Sequence, residues 1–311
     1  MTNSSMRSPA RPPESADILP RYRHIIPNWD RFIEACRRPL PIVVRANTLR
    51  TDPDRLRERL VERGLAVEPV PWEPTLFRVD RPVGSTIEHW LGLLYVQESV
   101  QALPGIALAP RPGQTVLDLC ASPGGKTTDI AARMRGIGSL VANEPSGRRQ
   151  PALLANVNRL GVLNVTQTRY RGESFPGTSR FDRVLVDAPC SAEGTLRKEP
   201  SLAAGAAPGT IARLARLQKR LIVRAYDLVR PGGVLVYSTC TFAPEENEAV
   251  VAHLLAVRDA RLTPLSLPVD TAPGLSSWDG ETYPEEVRGC ARTYPHQLDS
   301  GGGFVVRFER P

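Results

Sequence analysis

Residues 115–128, TVLDLCASPGGKTT, place an apolar run of strand type directly before a glycine pair and a segment of helical pattern. A strand that ends in a glycine turn and reopens as a helix leaves backbone N–H groups unpaired at the helix start, where a nucleotide-like or anionic ligand is held. Gly124 and Gly125 carry no Cβ and so allow a ligand to approach the backbone. A phosphate-binding Walker loop is excluded, because the glycine it needs five positions before Gly125 is Cys120 and Pro123 interrupts the run of donors.

Working outward, four more apolar runs follow: SLVANE (139–144), NVTQTRY (164–170), DRVLVDAP (182–189) and GVLVYSTC (233–240), separated by helical segments. Strands alternating with helices predict an α/β fold with a parallel sheet and crossover connections. Continuous apolar runs fit strands buried on both faces. FVVRFER at 304–310 predicts a late strand. The expectation is a Rossmann-like domain over residues 106–311 with a central, mostly parallel sheet. In such sheets ligands sit beyond the carboxyl ends of the strands, which is where chemistry is to be sought.

Residues 20–105 read as a small α+β domain. Its predicted elements are a helix in NWDRFIEACRR (28–38), a strand in IVVRANTL (42–49), an Arg-rich helix after Pro53, and strands in AVEPVPW (66–72) and LFRVD (76–80). IEHWLGLLYVQESVQALPGIAL (87–108) predicts a helical bridge into the larger domain. Residues 1–19 are expected to be a flexible leader, rich in Pro, Ser and Arg and without the apolar core of a secretory signal.

Among 311 residues, 40 Lys and Arg against 33 Asp and Glu give a net charge of +7, which favours polyanionic partners without identifying one. No run approaches the roughly 20 apolar residues needed to span a bilayer, so a cytoplasmic protein with no membrane contact is expected. The five cysteines are odd in number and dispersed, and free thiols are expected. Without a C-x-x-C pair, and with four scattered histidines, no metal site is expected.

Three strand ends carry candidate chemistry. Glu144 closes the second strand a little under 20 residues beyond the glycine loop, where a carboxylate accepts hydrogen bonds from ribose hydroxyls, although a solvated capping Glu would look the same. Arg149 follows five residues later, as cofactor contact or surface charge. The fourth strand ends in Asp187-Ala188-Pro189-Cys190 and the fifth in Ser238-Thr239-Cys240. A lone cysteine is usually a small buried hydrophobe, but two at the ligand edge of one sheet, the first beside a carboxylate, suit methylation of an unactivated pyrimidine carbon. Thiolate addition at carbon 6 of cytosine, with a contact to N3 from the carboxyl group, turns carbon 5 into an enamine-like nucleophile, and a second thiol can assist elimination.

The blocks DLCASPGGKTT, DRVLVDAPCSAEGTLRKEP and LVYSTCTFAPEENEAVV, with ANVNRLG at 155–161 and the ending RTYPHQLDSGGGFVVRFER, resemble the signature blocks of the Sun-type family of RNA cytosine-5 methyltransferases, including the bacterial RsmF-like rRNA enzymes. The resemblance covers roughly residues 40–311. It implies S-adenosylmethionine as cofactor, a methyltransferase domain at 106–311 and an RNA-positioning domain at 20–105. It also implies that Cys240 attacks carbon 6 and that Cys190 assists release, with Asp187 between target base and cofactor. The family's cofactor loop falls on Cys120, Ala121, Ser122, Pro123, Gly124, Gly125 and Lys126, its ribose-binding acid on Glu144, with Arg149 nearby. One position departs: Arg171 stands where the family has an Asp that contacts adenine. An Arg cannot accept that hydrogen bond, which leaves Glu173 or apolar contacts to hold the ring.

The implied substrate is RNA with the target cytosine unpaired or swung out of its stack, ribosomal RNA before transfer RNA. Arg197 and Lys198, directly after Cys190, are candidates for a phosphate clamp. A monomer is expected. Two rival readings are a DNA cytosine-5 methyltransferase, in which the Thr-Cys thiol would have no role, and a non-catalytic RNA-binding or assembly factor that keeps the fold.

Overall fold

The computed structural model describes residues 18–177 and 181–311, so the predicted leader lies almost wholly outside the described residues. Its last two positions, Ile18 and Leu19, differ from the expectation: both are buried, and the Leu19 N–H donates to the Ala203 carbonyl at 2.9 Å.

The chain enters through α1 (Trp29–Arg37), β1 (Ile42–Ala46), α2 (Pro53–Glu62), β2 (Val67–Pro69), β3 (Leu76–Val79), α3 (Ile87–Trp90) and β4 (Leu94–Val96). The strands form an antiparallel sheet in the order β2-β3-β1-β4. α2 begins as its sequence requires, with the Asp52 side chain accepting the Asp54 N–H and Pro53 in the first turn. The helical bridge predicted over 87–108 is broken. Gly92 takes φ of 68°, and a Cβ there would collide with the Arg159 carbonyl, so α3 stops. β4 then pairs with β1 before a 3-10 turn (Ser99–Ala102) and a short helix, α4 (Leu103–Leu108), complete the passage.

The second part contains β5 (Thr115–Asp118), α5 (Gly125–Arg133), β6 (Ser139–Asn143), α6 (Gln150–Leu160), β7 (Val165–Thr168), β8 (Phe181–Asp187), α7 (Pro208–Leu228), β9 (Val229–Thr239) and α8 (Glu248–Val257). Short strands follow, β10 (Arg261–Leu262), β11 (Ala272–Pro273), β12 (Ser277–Trp278), β13 (Glu281–Thr282) and β14 (Ala291–Thr293), then α9 (Pro295–Leu298) and β15 (Gly303–Glu309). The main sheet runs β11-β14-β15-β9-β8-β5-β6-β7, with β10 also on β15. Strands β9, β8, β5, β6 and β7 are mutually parallel, and β15 closes antiparallel on β9. From β5 the chain moves outward to β6 and β7, then returns to the other side of β5 as β8. The direction of winding therefore reverses between β5 and β8, and the loops after these two strands flank a crevice.

The apolar runs are continuous because both faces of the sheet are covered. Leu117, Val184, Val186, Leu235 and Tyr237 pack on one side with Leu221, Ile222 and Ala225 of α7. Val116, Leu185, Val234 and Val236, one residue out of phase, pack on the other with Leu103 of α4, Ile130 of α5 and Leu153 of α6. The two sheets are locked by Arg45 of β1, which is 2% exposed. Its guanidinium donates to the Gly125 carbonyl at 2.9 Å, to Thr128 Oγ1 at 2.8 Å and to Gln97 Oε1 at 2.7 Å. Among the described residues no helix is long and apolar enough to cross a membrane.

Two buried ionisable features yield tests. Arg292 of β14 and Glu248 at the start of α8 form two hydrogen bonds of 2.6 Å, with both residues under 2% exposed. Arg292→Met leaves a buried carboxylate uncompensated and is expected to cost about 3–5 kcal/mol in urea unfolding, with Arg292→Met/Glu248→Leu recovering much of the loss. Asp118, the last residue of β5, is fully buried, with Oδ2 accepting from Thr127 Oγ1 at 2.6 Å. Burial pushes its carboxyl from 3.8 up to about 7, against the Thr127 hydrogen bond. A raised folded-state value means that the folded chain holds the proton longer, so the stability Asp118 contributes is lost as pH rises from about 4 through about 7. Asp118→Asn is expected to flatten that decline in urea midpoints measured across the window.

Candidate active site

A cavity of about 400 Å³ opens at the β5/β8 crevice. One wall is the loop after β5, residues 120–123, with Gly125 and Lys126 of α5; Asp187 and Cys240 border it; Thr195 and Lys198 close one side. The remaining wall comes from the first sheet and its exit, residues 40–43 together with Tyr95, Glu98 and Gln101.

The glycine loop is built for close approach. Gly124 takes φ of 102°, which a side chain rarely tolerates, and a Cβ on Gly125 would press on the Tyr95 ring. The first turn of α5 holds no acidic residue, so the positive end of the helix is met by no carboxylate of its own. Lys126 donates to Asp187 Oδ2 at 2.8 Å and also to Gln101 Oε1. Burial works to lower the Lys126 ammonium, and Asp187 foremost, with Cys240 and Asp118, more than offsets it, so the group stays above its ordinary value. Asp187 Oδ1 accepts from Ser238 Oγ at 2.9 Å, which ties the ends of β8 and β9 together.

Cys190 and Cys240 meet across those strand ends with their sulfurs 3.4 Å apart. The Cys190 thiol is pushed well above its usual range, first by the hydrogen bond shared with Cys240 and then by burial. Cys120, in the cavity wall, is also held as a thiol by burial and by the carboxylates of Asp118, Asp187 and Glu144. All five cysteines are free, and among the described residues no group of three His, Cys, Asp or Glu is placed to hold a metal.

Glu144 and Arg149 stand beyond the cavity lining. Glu144 is 2% exposed; Oε1 accepts the Ser146 N–H at 2.8 Å, and Oε2 is buried without a hydrogen bond, 3.4 Å from Arg149. Arg149 donates to the Ser122 carbonyl at 2.6 Å, and Ser122 Oγ donates to the Arg149 carbonyl at 2.9 Å, so Arg149 braces the glycine loop. An orphaned carboxylate oxygen, a glycine cradle and an open helix start fit an adenosyl ligand with a charged amino-acid tail. Arg171 is exposed and leads into a 3-10 turn at Gly172–Ser174, with Glu173 half-buried.

The clamp expected of Arg197 is not formed. Arg197 is 8% exposed, and its guanidinium is taken up by the carbonyls of Arg38, Pro39 and Ser300 and by Asp299. Those partners lie more than 100 residues away in sequence, which no local pattern reveals. Lys198 does line the cavity. Tyr95, Glu98 and Gln101 were hidden in the segment read as a helical bridge; the interrupting Gly92 was the only local signal.

Residues 105–309 match the family model of 16S rRNA methyltransferase RsmB/F, and residues 16–99 match the N-terminal domain of 16S rRNA methyltransferase RsmF. The chain is 39% identical over 279 residues to a tRNA (cytosine(49)-C(5))-methyltransferase of Pyrococcus abyssi, covering 88% of this chain and 89% of that protein. It is 38% identical over 295 residues to ribosomal RNA small subunit methyltransferase F of Aliivibrio fischeri, covering 91% of this chain but 60% of that one. A crystal structure of a methyltransferase homolog protein from Pyrococcus horikoshii superposes with a TM-score of 0.82 at 33% identity, covering 93% of each chain. Strand order, glycine loop and family matches over both parts of the chain agree, and the protein belongs to the RsmB/F family of S-adenosylmethionine-dependent RNA methyltransferases.

Proposed function

We propose that the protein methylates carbon 5 of a cytosine in RNA, with Cys240 as nucleophile, Cys190 as its proton partner and ribosomal RNA as substrate. The observation that carries this reading is the pair of thiols 3.4 Å apart, of which Cys240 borders a cavity lined also by Asp187, Lys126 and the glycine loop. S-adenosylmethionine, held by residues 120–126 with Glu144 toward its ribose, supplies the methyl group when bound. Cys240 adds to carbon 6 as its thiol proton passes to N3 of the ring, which leaves an enamine with nucleophilic carbon 5, while Asp187, fixed by Lys126 and Ser238, meets the polar edge of the base. After methylation the carbon 5 proton passes to the Cys190 sulfur as that thiol gives up its own, the C5–H bonding pair restores the C5–C6 double bond, and the Cys240–C6 bonding pair leaves with the Cys240 sulfur. Cys190, held as a thiol beside Cys240, exchanges a proton with the departing sulfur. The RNA-positioning role falls to residues 20–105, which build one cavity wall; the methyltransferase domain is 106–311.

A second reading, transfer RNA, rests on the 39% identity to the archaeal tRNA enzyme over 88% of this chain. Labelled S-adenosylmethionine with ribosomal and transfer RNA fractions, followed by mapping of 5-methylcytosine, separates the two. No transfer to either fraction would sink the reading. Cys240→Ala is expected to abolish the covalent protein–RNA adduct on denaturing gels, and Cys190→Ala to let it accumulate. Adduct loss in Cys190→Ala with retention in Cys240→Ala would reverse the assigned roles.

A further inference from the structure

Two consecutive residues just before α8, Glu246 and Asn247, are fully buried, and each grips the loop of a different thiol. Glu246 accepts the Ser191 N–H at 3.1 Å, next to Cys190. It also accepts from Gln218 Nε2 at 2.7 Å, and the same Gln218 nitrogen donates to the Pro189 carbonyl at 2.8 Å. Both neighbours of Cys190 are thereby tied to one carboxylate. Asn247 does the corresponding work for Cys240: its Oδ1 accepts from Thr239 Oγ1 at 2.6 Å, and its Nδ2 donates to the Thr241 carbonyl at 3.0 Å. The two gripped loops are also joined directly. Thr241 Oγ1 donates to Glu193 Oε2 at 3.0 Å, which makes Ser191 Oγ the donor in the 2.6 Å contact between Ser191 and Thr241.

We propose that Glu246 and Asn247 act together as positioning residues that set the separation of Cys190 and Cys240, Glu246 through the Cys190 loop and Asn247 through the Cys240 loop. Neither touches the cavity, so their effect reaches a substrate only through the thiols. Adjacent residues in a buried turn cannot move independently, and each side-chain oxygen and nitrogen of Glu246 and Asn247 has a hydrogen-bond partner, which in a low-dielectric interior holds the turn in place. The Tyr237 hydroxyl adds to this by donating to the Glu246 carbonyl at 2.6 Å, which holds the turn against β9. The kinetic consequence rests on the reaction proposed above; the thiol geometry does not.

The test compares Glu246→Gln with Asn247→Ala, and adds Thr239→Val, which removes the donor to Asn247 together with a long 3.5 Å contact from the Thr241 N–H. Mass spectrometry after brief iodoacetamide treatment reads each cysteine separately, with buried Cys36 and Cys290 reporting general loosening. The expected result is residue-selective: Asn247→Ala and Thr239→Val change alkylation of Cys240, and Glu246→Gln that of Cys190, each by about tenfold as its loop opens locally. Rates at Cys36 and Cys290 stay as in the unaltered protein. On RNA, a thiol misplaced by an ångström costs about 100-fold, so Asn247→Ala is expected to slow adduct formation by that order in kcat with little change in KM. Glu246→Gln is expected to let adduct accumulate. The proposal is overturned if the variants give one common alkylation pattern, if all cysteines change together, or if nothing changes. If the unaltered protein forms no adduct with any RNA, the proposed reaction fails while the alkylation pattern still decides the positioning role.

Discussion

The Lys126 ammonium is the contact on which the rest of the site depends. It sits in the first turn of α5 and reaches Asp187 at the end of β8 and Gln101 in the turn that leaves the first sheet. Three segments far apart in sequence are therefore held by one cation. A buried ammonium is stable only if its lost hydration is replaced, and here the surrounding groups, Asp187 foremost, more than replace it. Removing the charge would leave Asp187 without its cation beside the thiols and untie Gln101 from the start of α5.

The surroundings of the thiols are polar to an unusual depth. Glu193, Glu246, Asn247, Glu248 and Arg292 are each no more than 1% exposed, and their contacts are made with one another, with hydroxyls, with backbone or with the Gln218 amide. Such groups contribute little net stability over apolar residues of similar volume, and their satisfied hydrogen bonds select one arrangement of the backbone instead. That trade suits a place where two sulfurs must be held close without bonding.

Much of this was legible in the residues. The five parallel strands could be read because a sheet covered on both faces needs unbroken apolar runs, and Leu117, Val184 and Leu235 pack opposite to Val116, Leu185 and Val234 as that demands. Asp187, Cys190 and Cys240 could be read because strand ends at a winding reversal converge. What could not be read depends on contacts across many residues. Arg45 looks like any strand arginine until the start of α5 is beside it. Arg197 and Lys198 are indistinguishable as a pair of adjacent cations, yet one is consumed by carbonyls of residues 38, 39 and 300 while the other faces the cavity. Strand β4 was hidden because an apolar run of three residues carries no period of its own, and only the left-handed Gly92 marks the break.

Arg45 also determines which molecule must deform. Its guanidinium is sealed between the sheets, bonded to a backbone carbonyl and a hydroxyl of α5, and moving the sheets apart would strand that charge in an apolar gap. The two walls of the cavity are thus fastened to each other by a buried charge, and spreading them carries the cost of stranding it. If a nucleotide enters the cavity, the bending, unstacking and backbone twisting must come from the nucleic acid. Selection would then fall on strands already slack at one base, and the choice of target would be written in the softness of the RNA as much as in its letters.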